Sequence, residues 1–322
     1  NNLFTLCHLI YTDTFYMKRK WIRWVSWILL TPIILFVILM VLLYVPPVQN
    51  LLRREVTAYA SKATGMQIQV ERIDLRFPLN LLVRGVEVIQ QPDTLLSLES
   101  LNVSVQAWPL IKGKVEVDEV TLSRVAVNSA DLMEGMKIKG VLGRFFLQSH
   151  GVDLSNELAV INQVELSDTH VQLLMNDTTT TPKDTTASAP INWKVALHQL
   201  KLKNVSFSMQ LPADSMRMAA HIGEAAIDDA QADLKNQYYD LKKFLLSGTS
   251  ASYDTGTAQP AEGFDASHIA VRDIRIALDS LLYKGRDMNA VIREFTMNER
   301  SGLSVTSLTG RAYSNDSVIC VP

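Results

Sequence analysis

Imidazoles, thiols and paired carboxylates are the groups that could do chemistry, and this chain scatters them. Its six histidines, His8, His150, His170, His198, His221 and His268, are never closer than 20 residues, so no local pair has the short spacing of a metal-ligand motif. The two cysteines, Cys7 and Cys320, stand near opposite ends and imply no disulfide framework. Carboxylates pair at Asp118-Glu119 and Asp228-Asp229, as general acid–base work would require. Acidic pairs beside β turns or at helix starts are more often merely solvated. There is no Gly-rich phosphate loop, no Gly-x-Ser-x-Gly, no His-Glu-x-x-His and no Cys-x-x-Cys. The expectation is a protein that is not an enzyme, with no catalytic, metal or cofactor site.

The stretch that organises the chain is Val25 to Val45, VSWILLTPIILFVILMVLLYV, 21 residues without a charge. As a helix rising about 1.5 Å per residue it matches the roughly 30 Å hydrocarbon core of a bilayer. Val25, Trp27, Leu35, Phe36, Leu42 and Tyr44 are its expected lipid-facing and interfacial residues, with Trp21, Trp24 and Trp27 at one end and Tyr44 at the other. Lys18, Arg19, Lys20 and Arg23 precede the run, against Arg53, Arg54 and Glu55 after it. That bias holds the N-terminus in the cytoplasm and exports the chain beyond Val45. The apolar run is too long for a cleaved signal peptide and leads into Pro46-Pro47. An uncleaved single-pass anchor is expected.

Met17-Lys18-Arg19-Lys20 resembles a natural start, so residues 1–16 are expected to be a non-native leader, and the chain the N-terminal piece of something longer. Residues 17–45 then form the basic head and anchor. Residues 46–65 form a juxtamembrane amphipathic helix, with Leu51, Leu52, Val56, Tyr59, Ala60 and Ala63 at helical spacing and Gly65 as C-terminal cap. From Met66 onward apolar and polar residues alternate as in half-buried strands. One polar helix candidate interrupts them, Asp228 to Leu246. Asn176–Pro190 and Ser247–Phe264 read as disordered edge loops on one continuous β body. Residues through Glu55 carry a surplus of four basic charges, so with a net charge of −2 the remainder carries −6. Such a balance argues against a nucleic-acid surface.

A spaced word recurs in residues 66–322: apolar, two others, apolar, one, apolar, two, apolar, one, apolar. Val117, Val120, Leu122, Val125 and Val127 spell it first. Ile161, Val164, Leu166, Thr169 and Val171 repeat it, as do Leu197, Leu200, Leu202, Val205 and Phe207. Val271, Ile274, Ile276 and Leu281 form a fourth copy broken by Asp279, and Ile222, Ala225, Ile227, Ala230 and Ala232 a thinner one. Wound at about 100° per residue, the word spreads around a whole helix. In a flat strand its two-residue gaps would turn successive pairs to opposite faces. A bulge or corner at each gap restores one apolar face and bends the sheet. Recurrence of this kind suits a stacked, quasi-one-dimensional β architecture. Its apolar slots are the candidate ligand-contact residues: Val117, Val120, Leu122, Val127, Ile161, Val164, Leu166, Leu197, Leu200, Leu202, Phe207, Val271, Ile274 and Ile276.

Val56 to Val88, VTAYASKATGMQIQVERIDLRFPLNLLVRGVEV, and Leu95 to Val127, LLSLESLNVSVQAWPLIKGKVEVDEVTLSRVAV, resemble the opening units of the AsmA-like superfamily. Within it the likeness is closest to the N-terminal part of the TamB family, the inner-membrane component of the translocation and assembly module. The resemblance implies a mainly β chain after one transmembrane helix: an elongated, curved antiparallel sheet groove, a β-taco, in the periplasm. It implies phospholipids carried along an apolar groove toward the outer membrane, support for outer-membrane protein insertion, and an outer-membrane β-barrel assembly protein as partner. The other reading is an envelope scaffold acting through protein contacts, for instance by strand addition at sheet edges.

Reporter fusions after Gln49 and after Thr257 should both score as exported. Cytoplasmic signal from both would overturn the orientation drawn from the basic cluster.

Overall fold

The computed structural model describes residues 44–77, 79–106, 108–109, 116–130, 135–153, 156–175, 192–315 and 319–320. The expected transmembrane run before Tyr44, the leader, the basic head and the loop Asn176–Pro190 lie outside them. No helix among the described residues is long and apolar enough to cross a membrane. The chain divides into two units, residues 1–52 and residues 53–322.

The helix α1 spans Pro46–Thr64. It stops where the sequence predicts, at Gly65, whose φ of +70° is the left-handed cap conformation and whose amide donates to the Ser61 carbonyl at 3.0 Å. The second unit is otherwise a single sheet. Its strands are β1 (Gln67–Arg76), β2 (Asn80–Gln90), β3 (Asp93–Val105), β4 (Val117–Asn128), β5 (Met136–Asp153), β6 (Leu158–Met175) and β7 (Lys194–Leu211). They continue as β8 (Met216–Asp233), β9 (Tyr238–Asp254), β10 (His268–Lys284), β11 (Asp287–Glu299), β12 (Ser304–Ser314) and the two-residue β13 (Ile319–Cys320). Each strand pairs with its neighbours in sequence, and the curved sheet does not close on itself.

Several expectations are corrected here. The sheet is not wholly antiparallel: β6 and β7 run parallel, Leu158 opposite Lys194 and Leu174 opposite Gln210. The helix expected over Asp228–Leu246 is instead the end of β8 and the first half of β9. Its polar residues are the solvent side of two strands, and its spacing is the strand word rather than a helical stripe. Ser247–Phe264 is no uniform loop either, since β9 runs on through Asp254. The turn before β10 is organised by Asp265, whose carboxylate accepts from the amides of Ala261 (3.0 Å) and Ser267 (2.9 Å) and lies 2.9 Å from His268 Nδ1. Those bonds, that from Ala261 foremost, hold its carboxyl at about 2.

One crease crosses the strands at right angles. From β1 to β9 the ladder skips a position in a continuous row: Glu71, Gly85, Glu99, Arg124, Gly143, Asp168, Asn204, Gly223 and Gly248. Strands running in one direction, β2, β4, β6, β7 and β9, put a left-handed residue there, at φ between 47° and 58°. Opposing strands meet it with Glu or Gly. Asp168, Asn204 and Gly248 suit a left-handed backbone because a short polar side chain or none relieves the Cβ clash. A Cβ on Gly143 would lie 2.7 Å from Asp168 Cβ, and one on Gly223 would lie 2.8 Å from the Gly248 carbonyl oxygen. Asn204 Nδ2 donates to Asp168 Oδ1 at 2.7 Å, and the Arg124 guanidinium pairs with Glu99.

A second, parallel crease lies six residues away, about 20 Å along the strands, at Asn162, His198, Asp229 and Lys242. There His198 Nδ1 and Asp229 Oδ1 are 3.0 Å apart, and Asn162 Nδ2 reaches His150 Nδ1 at 2.8 Å.

The crease sets the order of tolerated substitutions. Asn204→Gly should shift stability by less than about 1 kcal/mol, whereas Asn204→Val should cost about 1–2 kcal/mol. Gly223→Val should cost more than either, because the Gly248 carbonyl has nowhere to go. Urea unfolding monitored by far-ultraviolet circular dichroism ranks the three variants, and equal midpoints would refute the crease as a conformational requirement.

Candidate functional site

Between the creases, two apolar rows run across the sheet on one face. The first pairs Ile73 with Val83, Val83 with Leu101, Leu101 with Leu122, Leu122 with Phe145 and Phe145 with Leu166. It continues through Leu202, Ala225, Leu246, Ile276 and Phe295 to Leu308 on β12. Beside it run Leu75, Leu81, Val103, Val120, Leu147 and Val164, then Leu200, Ile227, Phe244, Leu278 and Ile292. Twelve strands spaced about 4.8 Å make the longer row about 50 Å. No polar residue interrupts either.

These rows are not a filled core. Among the described residues no large side chain is fully enclosed, and the eight buried apolar side chains are half leucines and half alanines. Leu122, Val164, Leu166, Leu200 and Leu202 are only half-buried. A sandwich or closed barrel of this size would bury large aliphatic and aromatic residues completely. Here the row residues stand opposite one another on adjoining strands and, apart from the buried Ala225, stay partly exposed.

Polar groups on the apolar side are neutralised locally. Thr169 fills the fourth slot of the β6 word, is 8% exposed, and donates its hydroxyl to the Ser167 carbonyl at 3.2 Å. Thr249 does the same on β9, donating to Ser247 at 3.3 Å. A hydroxyl bonded back to its own strand costs far less beside apolar neighbours than a bare one.

Val120, Val164 and Leu200 share one row and Leu122, Leu166, Leu202 and Ile276 the other, so the copies of the word on β4, β6 and β7 superpose from their second slot to their fifth. Ile161 and Leu197 pair beyond the second crease, next to Ala230. Val127, Phe207 and Val271 join a row beyond the first crease that also holds Gly140, Val171, Ala220 and Ala251. Small residues leave room there for a hollow of about 220 Å³, bounded by Phe207, Met218, Tyr253 and Ile269. Val117 pairs with Val105 at the end of β4. Ile274 is the exception: it lies opposite Thr249, across the first crease from the row of Val164. Because β10 runs against β7, its copy is read backwards, and Leu278 takes the place expected for Ile274. Val25, Trp27, Leu35, Phe36 and Leu42, with Lys18, Arg19, Lys20 and Arg23, lie outside the described residues, and Tyr44 lies two residues before α1.

Sequence reasoning missed half the row. Leu241, Phe244, Leu246, Thr249 and Ala251 on β9 spell the same word with Thr and Ala in its last slots, as do Leu81, Val83, Val86 and Val88 on β2 in part. The helix expected over Asp228–Leu246 and the loop expected over Ser247–Phe264 cut the β9 copy in two after Leu246.

Among the described residues the histidines and acidic pairs gather around no common centre. His170 is exposed and meets Gln172 Nε2 at 2.8 Å. Asp118 accepts from the Gln106 amide, and Asp228 and Asp229 stand mid-strand on β8. Among the described residues no three His, Cys, Asp or Glu side chains could hold a metal ion.

One edge of the sheet is capped at two points. The outward backbone of β1 would be open to another strand, but Arg53 Nη1 donates to the Glu71 carbonyl at 2.7 Å and the Ile68 amide donates to Ser61 Oγ at 3.1 Å. Both caps come from α1. In Ser61→Ala, the Ile68 amide should exchange with deuterium roughly fivefold faster, the equivalent of about 1 kcal/mol; mass spectrometry over Gln67–Arg76 reads it, and an unchanged rate would show that the cap is idle. Compared with family models and with curated proteins, the chain matches none.

Proposed function

We propose that the protein is a membrane-anchored binding surface for lipid acyl chains, which lie along the apolar face between the creases and are passed from strand to strand. The observation that carries this reading is the continuity of the two rows. Each is apolar from β1 to β11 at least, each is half-exposed, and neither meets a charge. Burying an acyl chain there gains about 25 cal/mol for every Å² of apolar surface removed from water. The gain does not depend on position along the row, so a bound chain has no deep site to hold it back. An anchor at Val25–Val45 would tether the chain to a membrane, with the strands exported. Phospholipid carriage toward an outer membrane, with assistance to a β-barrel assembly partner, is the fuller form of the proposal that the AsmA-like resemblance implies.

A scaffold that binds only proteins would use sheet edges, and the capped β1 edge weighs against that use at one side. An uncovered apolar face suits protein contacts as well as lipid, so lipid adducts are what separate the two readings.

Leu166 and Leu202 sit at the middle of the track, so each is the place to test it. Leu166→Asp or Leu202→Asp introduces a charge that acyl chains solvate poorly, at a cost of several kcal/mol in order of magnitude, while the backbone ladder is kept. Photo-crosslinking groups at positions 166 and 202 should capture phospholipid in the unmodified background and lose it when the other position is Asp, at unchanged protein abundance. Stable protein with no lipid adduct at either position would rule the conduit out.

A further inference from the structure

The helix α1 is amphipathic in the wrong sense for a helix packed on a sheet. The stripe it turns to β1 is polar: Arg53 and Ser61 bond the strand edge, and Thr57 lies between them, half-buried. Val56, Tyr59 and Ala63 form the apolar stripe, within about 60° of one another on the helical wheel, and all three are exposed, Tyr59 at 77% and Val56 at 52%. A helix that only capped an edge would gain from the reverse arrangement.

We propose that the Val56–Tyr59–Ala63 stripe seats in the headgroup boundary of the bilayer. Three features select that occupant over a protein groove. The helix begins at Pro46, the residue directly after the 21-residue apolar run that ends at Val45. Val56 and Ala63 follow Val45 by 11 and 18 residues, so at about 1.5 Å per residue the stripe is within about 27 Å of the end of the run and can lie along the membrane surface. Tyr at the centre of the stripe has the apolar body and polar tip of an interfacial residue, and Lys62 beside it can extend its ammonium toward lipid phosphate while its stem lies on the apolar side. The same helix therefore holds the first strand of the sheet by its polar stripe and the membrane by its apolar one. The proposal rests on the membrane-anchored reading, and adds to it a surface and an orientation.

The test uses the full chain in phosphatidylcholine–phosphatidylglycerol vesicles, with Cys7→Ser and Cys320→Ser removing the native thiols. A single cysteine at Tyr59→Cys, Ala63→Cys or Ala58→Cys carries an environment-sensitive fluorophore, and only vesicle-floated protein is read. Ala58 is exposed but about 100° around the helix from Tyr59. Labels at 59 and 63 should be blue-shifted and quenched by a shallow lipid-borne nitroxide at least about threefold more than the label at 58. Equal weak quenching at all three positions would overturn the seat, and equal strong quenching would overturn the stripe as its cause. Failure of the chain to float would sink the anchor and this proposal together. Quenching as expected without lipid adducts at 166 and 202 would sink the conduit alone.

Discussion

A β-strand turns its side chains to alternate faces at every residue, and a sheet that must bend sharply while keeping one apolar face has to break that alternation without losing count. The left-handed residues at Arg124, Asp168, Asn204 and Gly248 do this. Each consumes one residue at the corner, after which the apolar side resumes where it left off. The two-residue gaps of the word are those corners, seen in sequence. The rest of the sheet depends on their alignment: a crease forms only if neighbouring strands spend their extra residue in the same row. The cost falls where Gly143 and Gly223 give up their side chains to let the opposite backbone approach.

The second consequence concerns what is left uncovered. Two creases divide the long strands into panels, and the middle panel carries the unbroken rows. Among the described residues no second layer packs on this face, so the apolar side chains remain half-exposed. Stability in such a sheet comes from ladder hydrogen bonds and from neighbour-to-neighbour contacts along each row, summed strand by strand. The architecture trades a closed core for an accessible face. Capping β1 with Arg53 and Ser61 is the corresponding device at the edge, since an open apolar sheet with an open edge would be an aggregation template.

Much of this was legible in the residues. The word predicted bent strands with one apolar face, and in β4, β6 and β7 the left-handed residue stands inside the gap that required it. Ser123-Arg124, Ser167-Asp168 and Lys203-Asn204 are those gaps. The end of α1 was equally plain, because Gly65 can do what no other residue there can. What stayed hidden has physical reasons. Thr249 and Ala251 lie in the small-residue run Ser247–Ser252, whose composition matches that of a loop as well as that of a strand's last apolar slots. The β10 copy has apolar residues at Ile274, Ile276 and Leu278 alike, so Ile274 could not be told from Leu278 until the pairing of β9 with β10 was in hand. The caps on β1 join α1 to a strand through backbone groups, which carry no residue identity to search for.

Direction also explains why the parallel pair does no harm. Reversing a strand reverses the word, and a reversed copy keeps the rows only if its corners shift to suit, as the irregular register of β10 against β9 demonstrates. β6 and β7 avoid that adjustment. They run the same way and place Ile161 beside Leu197, Val164 beside Leu200, Leu166 beside Leu202 and Val171 beside Phe207. Asp168 and Asn204 then fall side by side, both left-handed, and one side-chain amide spans them to the neighbouring carboxylate. A copied word laid parallel to itself is in register by construction. An antiparallel neighbour has to evolve its own. The parallel junction is therefore the place where the repeat joins most simply, and the apolar rows cross it without a change of step.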